Sequence, residues 1–206
     1  MLKIWGRISS VNVQKVVWCA DELGLAYERV DVGGPFGGND KPEYLAKNPN
    51  GLVPVIEDGE FVLYESNAIV RYLSAKHGGR KIWPDNLEKR ADVDRWMEWQ
   101  STGFTPAMVV AFWGLCRTPE DQRDMKAVEA SLEKGEKFAG VIDAHMAKRE
   151  FVTGSTFSPA DIVVGCATHR WLGLPAKKAA RPNLERWYAA LKKRPGAKQV
   201  LSQPVS

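Results

Sequence analysis

Residues 52–64, LVPVIEDGEFVLY, hold two short apolar runs with Asp58-Gly59 between them. That dipeptide favours the tight turn of a hairpin, so the two runs are expected to pair antiparallel. Upstream the pattern differs. LKIWG reads as a strand, and AYERVDV alternates in part as a second one. Between them residues 11–23 carry Val13, Val16, Val17, Ala20 and Leu23 at helical spacing, with Gly24 at the C-terminal cap position. A strand, a helix and a strand in succession close a right-handed crossover and leave the strands parallel. KPEYLAKN adds a short helix with proline near its first turn, and residues 65–76 a longer one with Ile69, Tyr72 and Leu73 on one face. A parallel pair and a hairpin in one chain are satisfied together by a mixed four-stranded sheet with helices packed on it. The order over residues 1–77 is then β-α-β-α-β-β-α.

Residues 78–87, GGRKIWPDNL, break this pattern with glycines and Pro84 and read as a linker. Residues 88–206 show little strand signal. Residues 88–113 form a tryptophan-rich amphipathic stretch, and residues 119–147 open on Pro119-Glu120-Asp121, acidic where a helix start prefers it. FSPADIVVGCATHRWL opens with Ser158 as an N-cap and Asp161 three residues on, in the manner of a capping box. RPNLERWYAALKKRPG is a further helix, closed by Pro195-Gly196. The expected architecture is an α/β domain over 1–77 followed by an all-α domain.

Composition narrows the function classes. Of 206 residues, 44% are hydrophobic and 26% charged, enough for a sizeable core. A net charge of +4, spread along the chain, is too weak a bias to argue for nucleic acid. Neither a membrane-length apolar run nor a signal-peptide pattern stands out, and a reducing cytoplasm is expected. The three cysteines and three histidines are scattered, without metal-ligand spacing. Cys19 and Cys166 lie mid-helix and read as buried thiols.

Two places carry candidate chemistry. Pro54 interrupts an apolar run, where a trans proline would cost a ladder hydrogen bond. A cis Val53–Pro54 bond would turn the chain and offer the Val53 N–H and C=O to an extended peptide; a trans proline at a strand start is the plainer alternative. Glu65-Ser66 open a helix, where free N–H groups welcome a carboxylate and Glu65 suits an ammonium. Ordinary N-capping is the alternative there. Serines 9 and 10 and Asn12, in SSVN between the first strand and first helix, are either turn and cap residues or hydrogen-bond donors to a ligand.

The element order is that of the thioredoxin-like fold. With NPNGLVPV, YESNAIVRYL, SPADI and PNLERWYAAL in order, and an all-α second domain, the chain resembles the cytosolic glutathione transferases over nearly its whole length. The resemblance implies a cytoplasmic two-fold homodimer in detoxification. It would use glutathione as co-substrate and no metal, and conjugate the thiolate to small, largely apolar electrophiles. It implies a cis Pro54 whose Val53 backbone bonds the cysteinyl part of glutathione, and Glu65 and Ser66 on the γ-glutamyl head. Lys41 would reach the glycyl carboxylate, unless it is merely a solvated helix start. Asn50 and Leu52 flank the Pro54 turn, with Leu52 departing from the Lys or Gln usual there, and Phe36 lies in the adjoining loop.

The CxxC of thiol oxidoreductases has no counterpart in SSVN, which excludes dithiol chemistry from that turn. In the theta and zeta classes a serine there donates to the glutathione sulfur, and their spacing selects Ser10, with Ser9 the close rival. Ser10-x-Asn12 also resembles the Thr-x-Asn of nu-class bacterial members, which reduce disulfides; reduction of disulfides or peroxides is therefore the rival activity. A non-catalytic ligand- or protein-binding member of the fold is a further alternative. Phe104, Met108, Phe112 and Trp113 are candidates for the electrophile pocket, although such a stripe also suits a core. Asp161 resembles the family's folding cap.

Overall fold

A computed structural model describes residues 1–206, apart from the side chains of Arg80 and Lys81. The chain divides into two units, one of residues 1–83 with 194–203 and one of 84–193 with 204–206.

In the first unit β1 (Leu2–Trp5), β2 (Tyr27–Val30), β3 (Val55–Asp58) and β4 (Phe61–Tyr64) form one sheet in the order β2-β1-β3-β4. β1 pairs parallel with β2, and antiparallel with β3 with Trp5 opposite Val55. The Asp58-Gly59 hairpin forms as expected, with Val55 opposite Tyr64, and Gly59 has the positive φ its turn demands. β3 starts one residue after Pro54, so the proline removes no ladder bond.

Three helices accompany the sheet: α1 (Val11–Glu22), the short α2 (Pro42–Leu45) and α3 (Ser66–His77). Val13, Val16, Val17, Trp18, Cys19 and Ala20 of α1 are all fully buried. Each such large apolar side chain contributes about 1.5–3 kcal/mol by leaving water. The expected linker at 78–87 contains a further short helix, α4 (Gly79–Ile82); the Arg80 and Lys81 side chains within it lie outside the described residues.

The final segment, a 3₁₀ turn at Pro195–Ala197 and α10 (Lys198–Leu201), belongs to the first unit and not to the helical one in which the sequence placed it. Gly196 explains this. A Cβ there would lie 2.7 Å from the Glu22 backbone N, so only glycine lets the returning chain touch the end of α1. Arg194 pairs with the Glu22 carboxylate at the same place.

The second unit is helical: α5 (Leu87–Trp99), α6 (Thr105–Cys116), α7 (Met125–Met146), α8 (Pro159–Gly173) and α9 (Pro182–Lys192). A π-helical turn, Gln100–Phe104, joins α5 to α6. Pro106 in the first turn of α6 withholds an N–H there, and Gly103 leaves room for the Phe138 ring, which a Cβ would meet at 2.6 Å. α7 starts at Met125 and not at Pro119. Asp124 is its cap, accepting from the Ala127 N–H at 3.0 Å, and Glu120–Gln122 form a separate 3₁₀ turn. The Ser158–Asp161 box forms as expected, and Asp161 also accepts from the Val152 N–H (2.8 Å) and the Trp187 indole (3.0 Å). Among the described residues no helix is long and apolar enough to cross a membrane, and no cluster of His, Cys, Asp and Glu could hold a metal ion.

Candidate functional site

The candidate site lies on the first unit, where β1 ends, α1 begins and the segment before β3 passes by. Gly6 brings these together. A Cβ at this residue (φ 143°) would lie 2.5 Å from Val13 Cγ2 and 3.0 Å from Val53 Cβ, so a side chain would hold α1 and the Val53 segment off the end of β1.

Ser10 is the N-cap of α1, in extended backbone. Its carbonyl accepts from the Gln14 N–H at 2.9 Å, and its own N–H donates to the Arg7 carbonyl at 3.1 Å. Its hydroxyl makes no capping bond, so the side chain of a natural cap residue is uncommitted within its helix. Ser9, Ser10 and Asn12 are all half-buried.

The Val53–Pro54 bond is cis. Among the described residues neither the Val53 N–H nor its C=O bonds another backbone group, which leaves both for an extended ligand. The chain around them is firmly held. The Leu52 carbonyl accepts from the Tyr44 hydroxyl and from Asn48 Nδ2, each at 2.8 Å. Asn50 donates its backbone and side-chain N–H to Asn48 Oδ1, each at 3.1 Å, which assigns it to shaping the turn. The Leu52 side chain is 64% exposed. Lys41, the cap of α2, and Phe36, in the glycine-rich loop of residues 33–40 (GGPFGGND), are also exposed.

Glu65 is the N-cap of α3 and, among the described residues, the one non-glycine residue with positive φ (φ 70°, ψ 107°). Such a conformation costs a side-chain-bearing residue about 1–3 kcal/mol and concentrates where a ligand is gripped. Its carboxylate is exposed, while Ser66 and Asn67, the first residues of α3, are buried. α1 and α3 thus both begin on this unit with N–H groups unused by their own helices, beside the residues the sequence singled out.

Sequence reasoning missed three residues here. The Arg7 guanidinium lies against the Gly33-Gly34 backbone, where a Cβ at Gly34 would meet Nε at 2.8 Å. Asn39 ties the glycine-rich loop to Gly51, donating from Nδ2 to its carbonyl at 2.7 Å. Lys15 of α1 is 2% exposed and donates to Asn67 Oδ1 and Ser66 Oγ. The one signal for Lys15 was a cation inside an apolar helical run, NVQKVVWCA.

Burial pushes the pKa of the Cys19 thiol up to about 12, and Cys166 is buried too.

In the helical unit the four expected pocket residues separate. Phe104 is fully buried, its ring among Trp99 (5.6 Å between centroids), Phe138 (6.2 Å) and Trp171 (6.4 Å). Met108 is fully buried and Phe112 nearly so, beneath the Arg170 guanidinium at 4.0 Å. Their burial places these three in the core of their unit, and the sequence could not separate the two because a stripe at helical spacing serves a core and a pocket alike. Trp113 alone of the four is open to a ligand, at 53% exposure, with the Arg117 guanidinium 4.6 Å from its ring centroid.

Compared with known proteins, the chain is 39% identical to glutathione S-transferase GstB of Escherichia coli over the full length of both. The chain belongs to the glutathione S-transferase family. The family's N-terminal domain matches residues 6–81 and its C-terminal domain residues 104–195. A rice relative, probable glutathione S-transferase GSTF2, is 32% identical over 98% of this chain and 96% of its own. Among solved structures, the theta class glutathione S-transferase of the citrus canker pathogen Xanthomonas axonopodis pv. citri, with glutathione bound, superposes with a TM-score of 0.96. It is 41% identical, over 100% of this chain and 99% of its own. The thioredoxin-like unit and the helical unit are the two parts of a glutathione S-transferase.

Proposed function

We propose that this glutathione S-transferase binds glutathione along the first unit and uses the bound thiolate to attack small, largely apolar electrophiles. The observation that carries this reading is the pairing of an uncommitted Ser10 hydroxyl at the start of α1 with the strained Glu65 and the buried Ser66 at the start of α3. Glutathione offers matching groups: a thiol, a peptide backbone and an α-amino acid head.

Val53 pairs its N–H and C=O with the cysteinyl backbone of the ligand. Ser66 and the N–H groups of α3 take the γ-glutamyl carboxylate, and Glu65 its ammonium. Lys41, at the glycine-rich loop, takes the glycyl carboxylate. Leu52 contributes its backbone position and no polar side chain. Ser10 donates its hydroxyl to the sulfur. A charge-assisted hydrogen bond contributes about 1.5–3 kcal/mol, which lowers a thiol pKa of about 8.5 by roughly one to two units. The N-terminus of α1 acts in the same direction. The thiol proton leaves to solvent. The sulfur lone pair then forms the bond to the electrophilic carbon while the leaving group departs with the bonding pair. Ser10 stabilises charge and is never acylated or alkylated. Trp113 supplies exposed aromatic surface in the helical unit for the second substrate.

Likeness to a theta-class enzyme supports Ser10 over Ser9 and Asn12, and conjugation over disulfide reduction. A two-fold homodimer in the cytoplasm accords with the family.

Calorimetry with glutathione, followed by conjugation assays on a chlorinated nitroarene and reduction assays on a mixed disulfide, tests this reading. Glutathione binding with arene conjugation is expected. Absence of binding overturns it, and disulfide turnover without conjugation replaces it with the reductase reading.

A further inference from the structure

Arg7 follows Gly6 at the end of β1 and is half-buried. Its head lies against the root of the glycine-rich loop. A Cβ at Gly34 would meet Nε at 2.8 Å and Cζ at 3.0 Å, and one at Gly33 would meet Nη1 at 3.1 Å. Both glycines have positive φ, 81° at Gly33 and 58° at Gly34, so the loop turns over the guanidinium where a side chain would push it off. Yet among the described residues the guanidinium makes no hydrogen bond and no ion pair. Asp40, in the same loop, is exposed and does not pair with it.

The surroundings of this head are those of the candidate site. The same Cβ position on Gly33 lies 3.4 Å from Val53 Cγ1 and 3.8 Å from Asn39 Oδ1, so Arg7, Val53 and Asn39 converge on one glycine. Val53 is the residue whose N–H and C=O bond no other backbone group among the described residues. The Arg7 carbonyl accepts from the Ser10 N–H, which ties the same residue to the start of α1. A guanidinium offers five N–H donors in a planar fork and accepts nothing. That fork matches a carboxylate, which takes two parallel N–H···O bonds from it. Packing against the two glycines already restricts the side chain, so less freedom is lost when a ligand binds. A carboxylate on a ligand lying along Val53 meets a preorganised donor, and a neutral group in its place leaves the fork without an acceptor.

We propose that Arg7 is a carboxylate-binding residue of this site, pairing with an acid group of the ligand that lies along Val53 and so setting a preference for anionic ligands beside the glycine-rich loop. The proposal rests on the glutathione reading above. Two sources fit the chemistry: the glycyl carboxylate of glutathione, shared with Lys41, and a carboxylate carried by the electrophile. Arg7 makes no bond to the reacting sulfur and takes no part in bond breaking.

Two matched pairs of ligands distinguish the sources. Glutathione is compared with its glycyl ethyl ester by calorimetry. 4-Chloro-3-nitrobenzoate is compared with 4-chloro-3-nitrobenzamide in conjugation assays, where the sulfur bonds the ring carbon and chlorine leaves as chloride. The readout is the ratio within each pair, in wild type and in Arg7→Met. A fall of about tenfold or more in the affinity ratio of glutathione to its ester, the size of one charge-assisted hydrogen bond, assigns the glycyl carboxylate. The same fall in the kcat/KM ratio of benzoate to benzamide assigns an acidic electrophile. Either result supports the proposal. Arg7→Lys, which keeps the charge and loses the fork, should restore only part of the ratio. If Arg7→Met melts out before assay, Arg7→Gln takes its place. Both ratios unchanged would overturn the proposal, even where every ligand binds more weakly, because equal losses within a pair mark a merely structural arginine; the glutathione reading then stands. Wild type that binds neither glutathione nor its ester overturns that reading and the proposal with it.

Discussion

Ser10 donates its N–H to the Arg7 carbonyl at 3.1 Å, which fixes the turn into α1 while leaving the Ser10 hydroxyl unbonded to its helix. A side chain in that position is held in place without being used, which suits a group that must meet a thiolate. Ser10→Ala should therefore leave folding intact, since no cap bond is lost. It should raise the pKa of bound glutathione by roughly one to two units, moving the acidic limb of the pH–rate profile upward by that amount. At neutral pH kcat/KM falls about 10- to 100-fold. Ser9→Ala and Asn12→Ala serve as comparisons. The assignment fails if either of them abolishes conjugation while Ser10→Ala keeps both rate and profile.

Glu65 separates stability from binding. Its φ of 70° is unfavourable for any residue with a Cβ, and its exposed carboxylate is bonded to no other side chain among the described residues. Glu65→Gly relieves about 1 kcal/mol or more of backbone strain, against the entropy glycine adds to the unfolded chain. The unliganded variant should thus melt no lower than wild type, yet bind glutathione about tenfold more weakly or worse. Glu65→Ala should bind as poorly and gain no stability. A Glu65→Gly variant with full affinity would remove Glu65 from the site.

Much of this was legible in the sequence, for physical reasons that can be named. Hydrophobic period and Asp58-Gly59 specify the sheet, because turn chemistry and side-chain alternation are local. Pro54 and the cap residues Glu65, Ser66 and Ser10 are legible because a helix start and an interrupted strand mark themselves. The positive φ of Glu65 is not, since nothing about a glutamate announces it. Lys15 escaped because a lone lysine reads as solvated, and its burial depends on α3 lying across it. Phe104 and Met108 looked like pocket residues because one helical face serves either purpose, and only tertiary packing decides: Met108 is fully buried, and Phe104 lies among Trp99, Phe138 and Trp171. The return of residues 194–203 to the first unit is tertiary, and Pro195-Gly196 reads locally as no more than a helix stop.

Asp161 anchors the helical unit. Its Oδ1 accepts from Val152 N–H and Trp187 Nε1, and its Oδ2 from the Ser158 N–H and hydroxyl. Asp161→Ala leaves buried donors unsatisfied and should cost about 3–5 kcal/mol, read as a lowered denaturant midpoint. Asp161→Asn should fall between, since one of its amide atoms can only donate. Burial pushes the carboxyl up to about 6 while the hydrogen bonds pull it back down. A folded value above that of the unfolded chain means that the folded state keeps a proton the unfolded state has released. The resulting stability is fully present below about pH 4 and lost as pH rises through about 6. The advantage of wild type over Asp161→Asn should accordingly shrink between those values. A gap that widens with rising pH would contradict this account.

Gly196 tests the docking of the returning chain on α1. A Cβ there would meet Glu22 N at 2.7 Å and Glu22 Cα at 2.8 Å, backbone atoms that cannot swing aside. Arg194 pairs with the Glu22 carboxylate beside this contact, and Gln199 accepts from the Tyr27 hydroxyl at 3.1 Å. Gly196→Ala must displace the segment or strain it, at about 1–3 kcal/mol, which for a chain of this size lowers the melting temperature by about 2–10 °C. Limited proteolysis should cut the variant within 194–203 sooner than wild type. Arg194→Met removes a part-buried ion pair while keeping the aliphatic stem, so it should cost about 1 kcal/mol. The order of the two effects is decisive: if Arg194→Met destabilises more than Gly196→Ala, charge and not close backbone contact holds the segment on α1.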